Sequence, residues 1–334
     1  MTTSCSASAP GKVVLSGEYA VLDGAPAICM AVNRRACATL RDIDASESRV
    51  SAPGFSDDIA HFRTTDDGVQ WLPEPTKFEL IDAVWRATDD QLSSAMAIDL
   101  NTDSFVDHAS GEKLGVGSSA AITVAFSAAV KRSTDVAAIA RRAHIHLQSG
   151  RGSGVDVACS LSGGLIKYRM EGARVTSLNW PKGLECRIIW TGVATSTSAK
   201  LAQLDATVSK PTRTRLMLAA ENIAAAWCDG NADAIIAEYR NYIPHLRAFG
   251  NDHKLGIFDA GHEQLCQAAS DLGLVYKPCG AGGGDIGIVL GTNSTSLNEF
   301  VDALVPPCML VDCALDKAGI RIEEQNRFEE NNQQ

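Results

Sequence analysis

The stretch Lys113-Leu-Gly-Val-Gly-Ser-Ser-Ala-Ala121 carries two glycines and paired serines, then runs into an apolar, alanine-rich segment ending at Val130. Alanine-rich apolar segments favour helix, so the stretch reads as a loop that opens directly into a helix. Glycine permits φ > 0 and lets a ligand approach the backbone without a Cβ in the way. The first amides of the helix are unpaired donors at the positive end of its dipole. That combination binds phosphate. Ser118 or Ser119 could hydrogen-bond a phosphate or ligate Mg²⁺, and Lys113 could lie against the negative charge. The Gly-Lys-Ser/Thr ending of a Walker loop is missing. The plainer reading is a serine N-cap on a buried helix. Both readings stand on these residues alone.

At 334 residues the chain is long for one core, and two domains are expected. Hydrophobic residues make up 45%, ample material to bury. No apolar run reaches the roughly 18 residues of a membrane span, and Met1 to Ala9 lacks the apolar core of a signal peptide. A cytoplasmic protein without membrane contact is expected. The formal charge of −10 argues against nonspecific binding to nucleic acid or anionic membrane. An anionic small molecule needs only a few local cations. None of the ten cysteines forms Cys-x-x-Cys. Cys29, Cys37, Cys159, Cys228 and Cys266 sit among apolar residues and read as reduced core cysteines. His144 and His146 are two apart and cannot face one another on a helix, which disfavours zinc there.

The chain opens with Ala9-Pro-Gly-Lys-Val-Val-Leu-Ser-Gly-Glu-Tyr-Ala-Val-Leu-Asp-Gly24. Lys12–Ser16 reads as a strand and Asp23-Gly24 as a tight turn. Lys12 and Glu18 stand among glycine and apolar neighbours, as in a solvated hairpin or a buried polar site. Arg34 and Arg35 lie beside a strand at Ala36–Leu40, and alternation sends them to opposite faces, so at most one enters a site. Short strands follow at Arg49–Ala52, His61–Thr64 and Val69–Leu72. Apolar spacing predicts a helix over Thr76–Thr88. Ala97–Asn101 and Phe105 suggest strand. Thr134-Asp135 caps a helix from Val136 to about Leu147.

Gly150-Arg-Gly-Ser-Gly-Val-Asp-Val-Ala158 is a second glycine-rich loop. Its Asp156 either complements a helix dipole or faces a pocket, where it could take a proton from a hydroxyl. A strand follows at Leu165–Tyr168, and a boundary is expected near 171–185. Arg187–Trp190 is a strand, and Thr191–Lys200 is a hydroxyl-rich loop that either caps itself or suits an anion. Helices are predicted at Thr212–Cys228, Ala232–Phe249 and Phe258–Leu272, and a strand at Leu274–Lys277. Pro278-Cys-Gly-Ala-Gly-Gly-Gly-Asp-Ile-Gly287 is the third glycine-rich loop, open to close packing against backbone or nucleotide. Ile286–Leu290 is a strand, Ser294–Leu304 a helix and Met309–Val311 a last strand before a polar tail. One glycine loop is weak evidence. Three of them, with Lys12 and Asp156, point to a phosphate site. Phosphoryl transfer asks chiefly for positioned phosphates, Mg²⁺ and a cation near the developing charge.

Three motifs appear in order: Pro10-Gly11-Lys12 with Gly17-Glu18, then Gly115-Val-Gly-Ser-Ser119, then Gly280-Ala-Gly-Gly-Gly284. The chain resembles the galactokinase, homoserine kinase, mevalonate kinase and phosphomevalonate kinase (GHMP) superfamily over nearly its whole length. Within it, the likeness is greatest to the phosphomevalonate kinase family. Gly17-Glu-Tyr-Ala-Val21 has Tyr19 where mevalonate kinases usually have His. Gly152-Ser-Gly-Val-Asp156 is similar to that family's Gly-Ser-Gly-Phe-Asp, and Trp190-Thr-Gly192 with Ser196-Thr197 to its substrate loop.

The resemblance implies two α+β domains: an N-terminal ribosomal-protein-S5-like domain, 1–180, holding most of the ATP site, and a C-terminal ferredoxin-like domain, 181–334. It implies transfer of the ATP γ-phosphate to 5-phosphomevalonate with Mg²⁺, by a monomer or homodimer. Lys113, Gly115, Val116, Gly117, Ser118, Ser119 and Ala120 would cradle the ATP phosphates, with Ser119 near Mg²⁺. Lys12 would stabilise the transferring group. Asp156 would act as acid/base or organise charge, positioning more than abstracting, because a phosphate with a second pKa of about 6 is already ionised. Glu18, Tyr19, Ser153, Gly154, Ser196, Thr197, Gly282, Gly283 and Asp285 would line the acceptor side. Which of Arg34, Arg35, Lys200 and His253 touches the acceptor stays open. Val116 stands for the usual Leu and Val155 for a larger Phe. His144-Ile-His-Leu-Gln148 lacks the magnesium-binding Glu of mevalonate kinases. The rivals are a kinase of another small alcohol or acid, mevalonate first, and a catalytically silent sensor of ATP and metabolite.

Overall fold

The computed structural model describes residues 4–65, 68–73, 78–88, 94–204 and 211–325. Two long antiparallel strands, β1 (Ser4–Ser16) and β2 (Ala27–Asp42), form its spine. Their apolar residues are almost all buried, with helices packed against both strands. The pairing slips at Pro10/Gly11, where Pro10 faces Arg35 and Gly11 faces Val32. Asn33 and Arg34 are therefore surplus residues on β2. This bulge breaks the alternation expected for the two arginines.

The chain continues through β3 (Ser48–Ala52), β4 (Ser56–Thr65), β5 (Gly68–Leu72), α1 (Glu79–Ala87) and β6 (Met96–Asn101). Next come α2 (Ser118–Lys131), α3 (Ala137–Leu147), α4 (Val155–Ser162), β7 (Leu165–Arg169) and β8 (Arg174–Leu178). The second half runs β9 (Glu185–Trp190), α5 (Thr197–Gln203), α6 (Pro211–Asp229), α7 (Ala232–Asp252), α8 (His262–Asp271) and β10 (Val275–Pro278). It closes with β11 (Ile286–Gly291), α9 (Ser294–Asp302), β12 (Met309–Val311) and β13 (Arg321–Gln325).

Strands and helices are largely segregated, so the class is α+β. The first sheet orders β13-β1-β2-β6-β3-β4-β5, with β7 joining the other end of β2 and β8 joining β7. Only β3–β6 is parallel there among the described residues. The second sheet, β10-β11-β9-β12, is antiparallel. The helices α2 and α4 lie on β1 and β2, and α8 and α9 contact β10 and β11. The paired α6 and α7 reach both sheets. One continuous core runs from Leu15 and Ile28 through Trp227 and Tyr239 to Ile288.

Several expectations need correction. Residues 76 and 77 of the expected first helix lie outside the described residues, and the helix starts at Glu79. Phe105 sits in a short 3-10 turn, not a strand. Thr134-Asp135 does not cap α3: Val136 is the cap, and the Asp135 amide is held by the Ser133 hydroxyl at 3.0 Å. Residues 197–200 of the expected hydroxyl-rich loop instead open α5, whose N-cap Ser196 accepts from the Ala199 amide. The polar tail contains β13, which returns to pair with β1. Cys37 and Cys228 are exposed, because their neighbours' apolar side chains point to the other face.

Candidate active site

The first and second glycine loops each end in a helix whose N-cap is a left-handed glycine. Gly117 (φ 87°) starts α2 and Gly154 (φ 79°) starts α4. An L-residue pays a steric cost in this conformation, so glycine is the natural cap. Serine is therefore not the cap of α2, and neither Ser118 nor Ser119 makes a capping bond. The opening amides of α2 lie ahead of its first intrahelical bond, from Ala121 N–H to the Gly117 carbonyl. They remain a phosphate-sized set of donors.

Lys12 lies between the two helix starts. Its amide donates to the Val116 carbonyl at 2.7 Å, which ties β1 to the first loop. Its side chain runs past Gly117, where a Cβ would sit 2.9 Å from Lys12 Cγ. Its Nζ ends 3.4 Å from Asp156 Oδ2, in the first turn of α4. The lysine side chain is 12% exposed and the carboxylate 25%, so the pair faces a pocket rather than a dry core. Burial alone would lower the Lys12 pKa. The Asp156 charge and hydrogen bond, with smaller help from Cys29 and Cys279, more than offset that and raise it. Lys12 is therefore a fixed cation at any working pH.

The third loop reaches the same place from the second sheet. Asp285 stands over Gly115, with a hypothetical Gly115 Cβ only 2.5 Å from Asp285 Cβ. Thr195 N–H donates to Asp285 Oδ1 at 3.1 Å. Burial pushes the Asp285 carboxyl up, opposed by that amide and by Lys12. Gly282 and Gly283 pack against backbone rather than open space: Gly283 N–H donates to the Ile257 carbonyl at 2.8 Å. The Tyr19 hydroxyl donates to the Ala281 carbonyl at 2.7 Å. A pocket between the loops is lined by Lys12, Tyr19, Ser153, Asp156, Thr197 and Ala281.

Glu18 borders the same pocket, but its carboxylate is buried, with one oxygen on Lys277 and the other 2.9 Å from the Tyr242 hydroxyl. Val116 and Ala120 have buried side chains and face the site through backbone. Arg34 donates to the Ser104 and Asp312 carbonyls, and Arg35 to Asp316, Ser8, Ala318 and Gly319. Both arginines hold the returning C-terminal segment, and neither enters the pocket. Lys200 donates to the Leu255 carbonyl. His253 packs against Phe249 with the rings tilted at 39° and their centroids 4.5 Å apart.

A second cavity of about 530 Å³ adjoins Ser118 and Ser119 and is walled by Phe55, Phe78, Ile81 and Leu147. Lys113 Nζ lies 5.0 Å from the centroid of the Phe55 ring. Nothing local marks Phe55 or Phe78, because strand pairing and α1 bring them together. Arg141 was also missed. It lies beside Gly154, whose added Cβ would be 3.5 Å from Arg141 Nε. Among the described residues no cluster of three or more His, Cys, Asp or Glu could hold a metal. No helix among them is long and apolar enough to cross a membrane.

No family model matches the chain. A phosphomevalonate kinase from Streptomyces sp. (strain CL190) is 31% identical, over 84% of this chain and 88% of its own. The chain belongs to the GHMP kinase superfamily. It is an ATP-dependent small-molecule kinase. A mevalonate kinase from Bos taurus is 27% identical over 85% of each chain. The GHMP fold extends to the Streptococcus pneumoniae phosphomevalonate kinase solved with phosphomevalonate and AMPPNP. That structure has a TM-score of 0.73 at 19% identity, over 92% of this chain and 99% of the other.

Proposed function

We propose that this kinase acts in the mevalonate pathway and transfers the ATP γ-phosphate to the phosphate of 5-phosphomevalonate, giving the diphosphate and ADP. The observation that carries this reading is the Lys12–Asp156 contact at 3.4 Å, set between two helix N-termini and open to the pocket. Two relatives named phosphomevalonate kinase, 31% and 30% identical, support the acceptor. So do Tyr19 and the carboxylate-free stretch His144–Gln148.

The amides of Ser118, Ser119 and Ala120 bind the ATP phosphates, and the cavity beside Phe55 and Phe78 takes the base. Lys12 meets the charge on the transferring group, where a fixed cation is worth most. Asp156 holds Lys12 in place and faces the attacking phosphate, which needs no base near neutral pH. Asp285, Ser153 and Thr197 border the acceptor. Mg²⁺ binds through one or two carboxylates, phosphate oxygens and retained water, so it needs few protein ligands. Asp156 and the Ser119 hydroxyl would hold it, and it would neutralise charge on the β- and γ-phosphates. The unit of the first sheet, 1–180, supplies the ATP side and, through Tyr19 and Ser153, part of the acceptor wall; 181–334 supplies the rest of that wall and returns β13 to the first sheet.

Coupled ADP release with 5-phosphomevalonate, mevalonate and homoserine side by side tests the reading. Turnover is expected with 5-phosphomevalonate alone. Activity confined to an unphosphorylated alcohol overturns it in favour of mevalonate kinase. The absence of turnover with all three favours the sensor.

A further inference from the structure

The residues that follow Lys12 are held in an unusual conformation by groups from the other half of the chain. Gly17 has φ 92° and Tyr19, which is not glycine, has φ 60°. A tyrosine at positive φ persists only where its surroundings over-determine it. Six hydrogen bonds do so here. Lys277, on β10, donates to Glu18 and, at 3.3 Å, to the Val14 carbonyl. Tyr242, on α7, donates to Glu18 Oε2 at 2.9 Å and accepts from the Gly17 amide at 3.0 Å. Tyr239, also on α7, donates to the Leu15 carbonyl at 2.9 Å. Tyr19 itself reaches back to the Ala281 carbonyl.

The Glu18 and Lys277 side chains are each only 1% exposed. A buried ion pair is poor value for stability alone, since well-packed apolar residues often do as well. Its sure effect is geometric, because two buried charges stay satisfied only while they meet. This pair joins the second sheet to the wall of the acceptor pocket: Lys277 directly precedes the third glycine loop, and Glu18 lies six residues after Lys12.

We propose that Lys277 and Glu18 are positioning residues for phosphoryl transfer, fixing Gly17–Tyr19 as the acceptor-side wall and holding it in register with the third glycine loop. The proposal rests on the acceptor pocket assigned above but not on which acceptor fills it. Neutralising the pair frees the wall, so acceptor binding and turnover suffer while the ATP side, built on α2, does not.

The test uses the full chain and whichever of 5-phosphomevalonate or mevalonate the unmodified enzyme turns over. Three variants are compared: Lys277→Met, the double Glu18→Gln/Lys277→Met, and Tyr242→Phe. The single variant strands a buried carboxylate and can fail to fold. The double removes both charges and keeps an acceptor for the Tyr242 hydroxyl. Tyr242→Phe removes one hydroxyl only. Expected are a tenfold or greater fall in kcat/KM for the acceptor in the double variant, about threefold to tenfold in Tyr242→Phe, and an unchanged KM for ATP in both. A folded double variant or Tyr242→Phe with normal acceptor kcat/KM overturns the proposal. So does an equal loss toward ATP and acceptor, which a merely structural role gives. If the double does not fold, Tyr242→Phe decides alone. Turnover of mevalonate instead of 5-phosphomevalonate by the unmodified enzyme would count against the acceptor assignment and leave this test intact.

Discussion

The Asp285 side chain lies directly over Gly115, so the first and third glycine loops touch although 170 residues separate them (285 − 115). A Cβ on Gly115 would sit 2.5 Å from Asp285 Cβ, and the residue holds φ 71°. Gly115→Ala therefore meets both a clash and backbone strain of about 1–3 kcal/mol. The expected outcome is a roughly tenfold to hundredfold loss in kcat/KM for ATP, read by varying ATP at saturating acceptor. Unchanged ATP kinetics would separate this contact from the nucleotide site.

Lys12 and Asp156 share one contact and one pocket. Lys12→Ala or Asp156→Asn is expected to lower kcat by on the order of 10² or more, the scale of electrostatic and acid/base contributions. Circular dichroism should show both variants folded. Because the two groups touch, the double variant should lose less than the product of the single losses. Near-normal turnover in both single variants would mean that the site is misassigned.

The cavity beside Phe55 offers a cleaner probe of nucleotide binding, because Phe55 is 51% exposed and contributes little to the core. Phe55→Ala should raise the KM for ATP about threefold to tenfold, matching about 0.5–1.5 kcal/mol for an aromatic contact. Melting temperature and acceptor KM should hardly move. An unaltered KM for ATP would place the base elsewhere.

His262 predicts a pH dependence of stability. It is fully buried between the Tyr276 hydroxyl at 2.9 Å and the Gly284 carbonyl at 3.0 Å. Burial pushes its pKa down to about 4 from 6.5, against the pull of the Gly284 hydrogen bond. The unfolded chain therefore binds the proton first. The contribution of His262 is complete above pH 6.5 and is lost as pH falls toward about 4, for a total near 3 kcal/mol. Urea unfolding across that range should show the slope, and His262→Gln should flatten it. A slope unaffected by the substitution would assign the effect to other groups.

The glycine loops, the helices behind them and most strand cores were legible in the sequence because their signals are local. Periodicity spans a few residues, and glycine marks its own left-handed positions at Gly117 and Gly154. The superfamily followed from three short motifs in order. Partnership over long separations was not legible. The residues around Arg34 and Arg35 do not reveal that a bulge turns both toward the C-terminal segment. Those around Glu18 do not reveal Lys277, 259 positions away. A polar stretch such as Arg321–Gln325 becomes a strand only because the edge of β1 is there to receive its hydrogen bonds. Local conformation is decided by neighbours along the chain, which a sequence displays. Which charges are buried together, and which arginines stay out of the pocket, is decided by where distant backbone runs, and only the folded chain contains that.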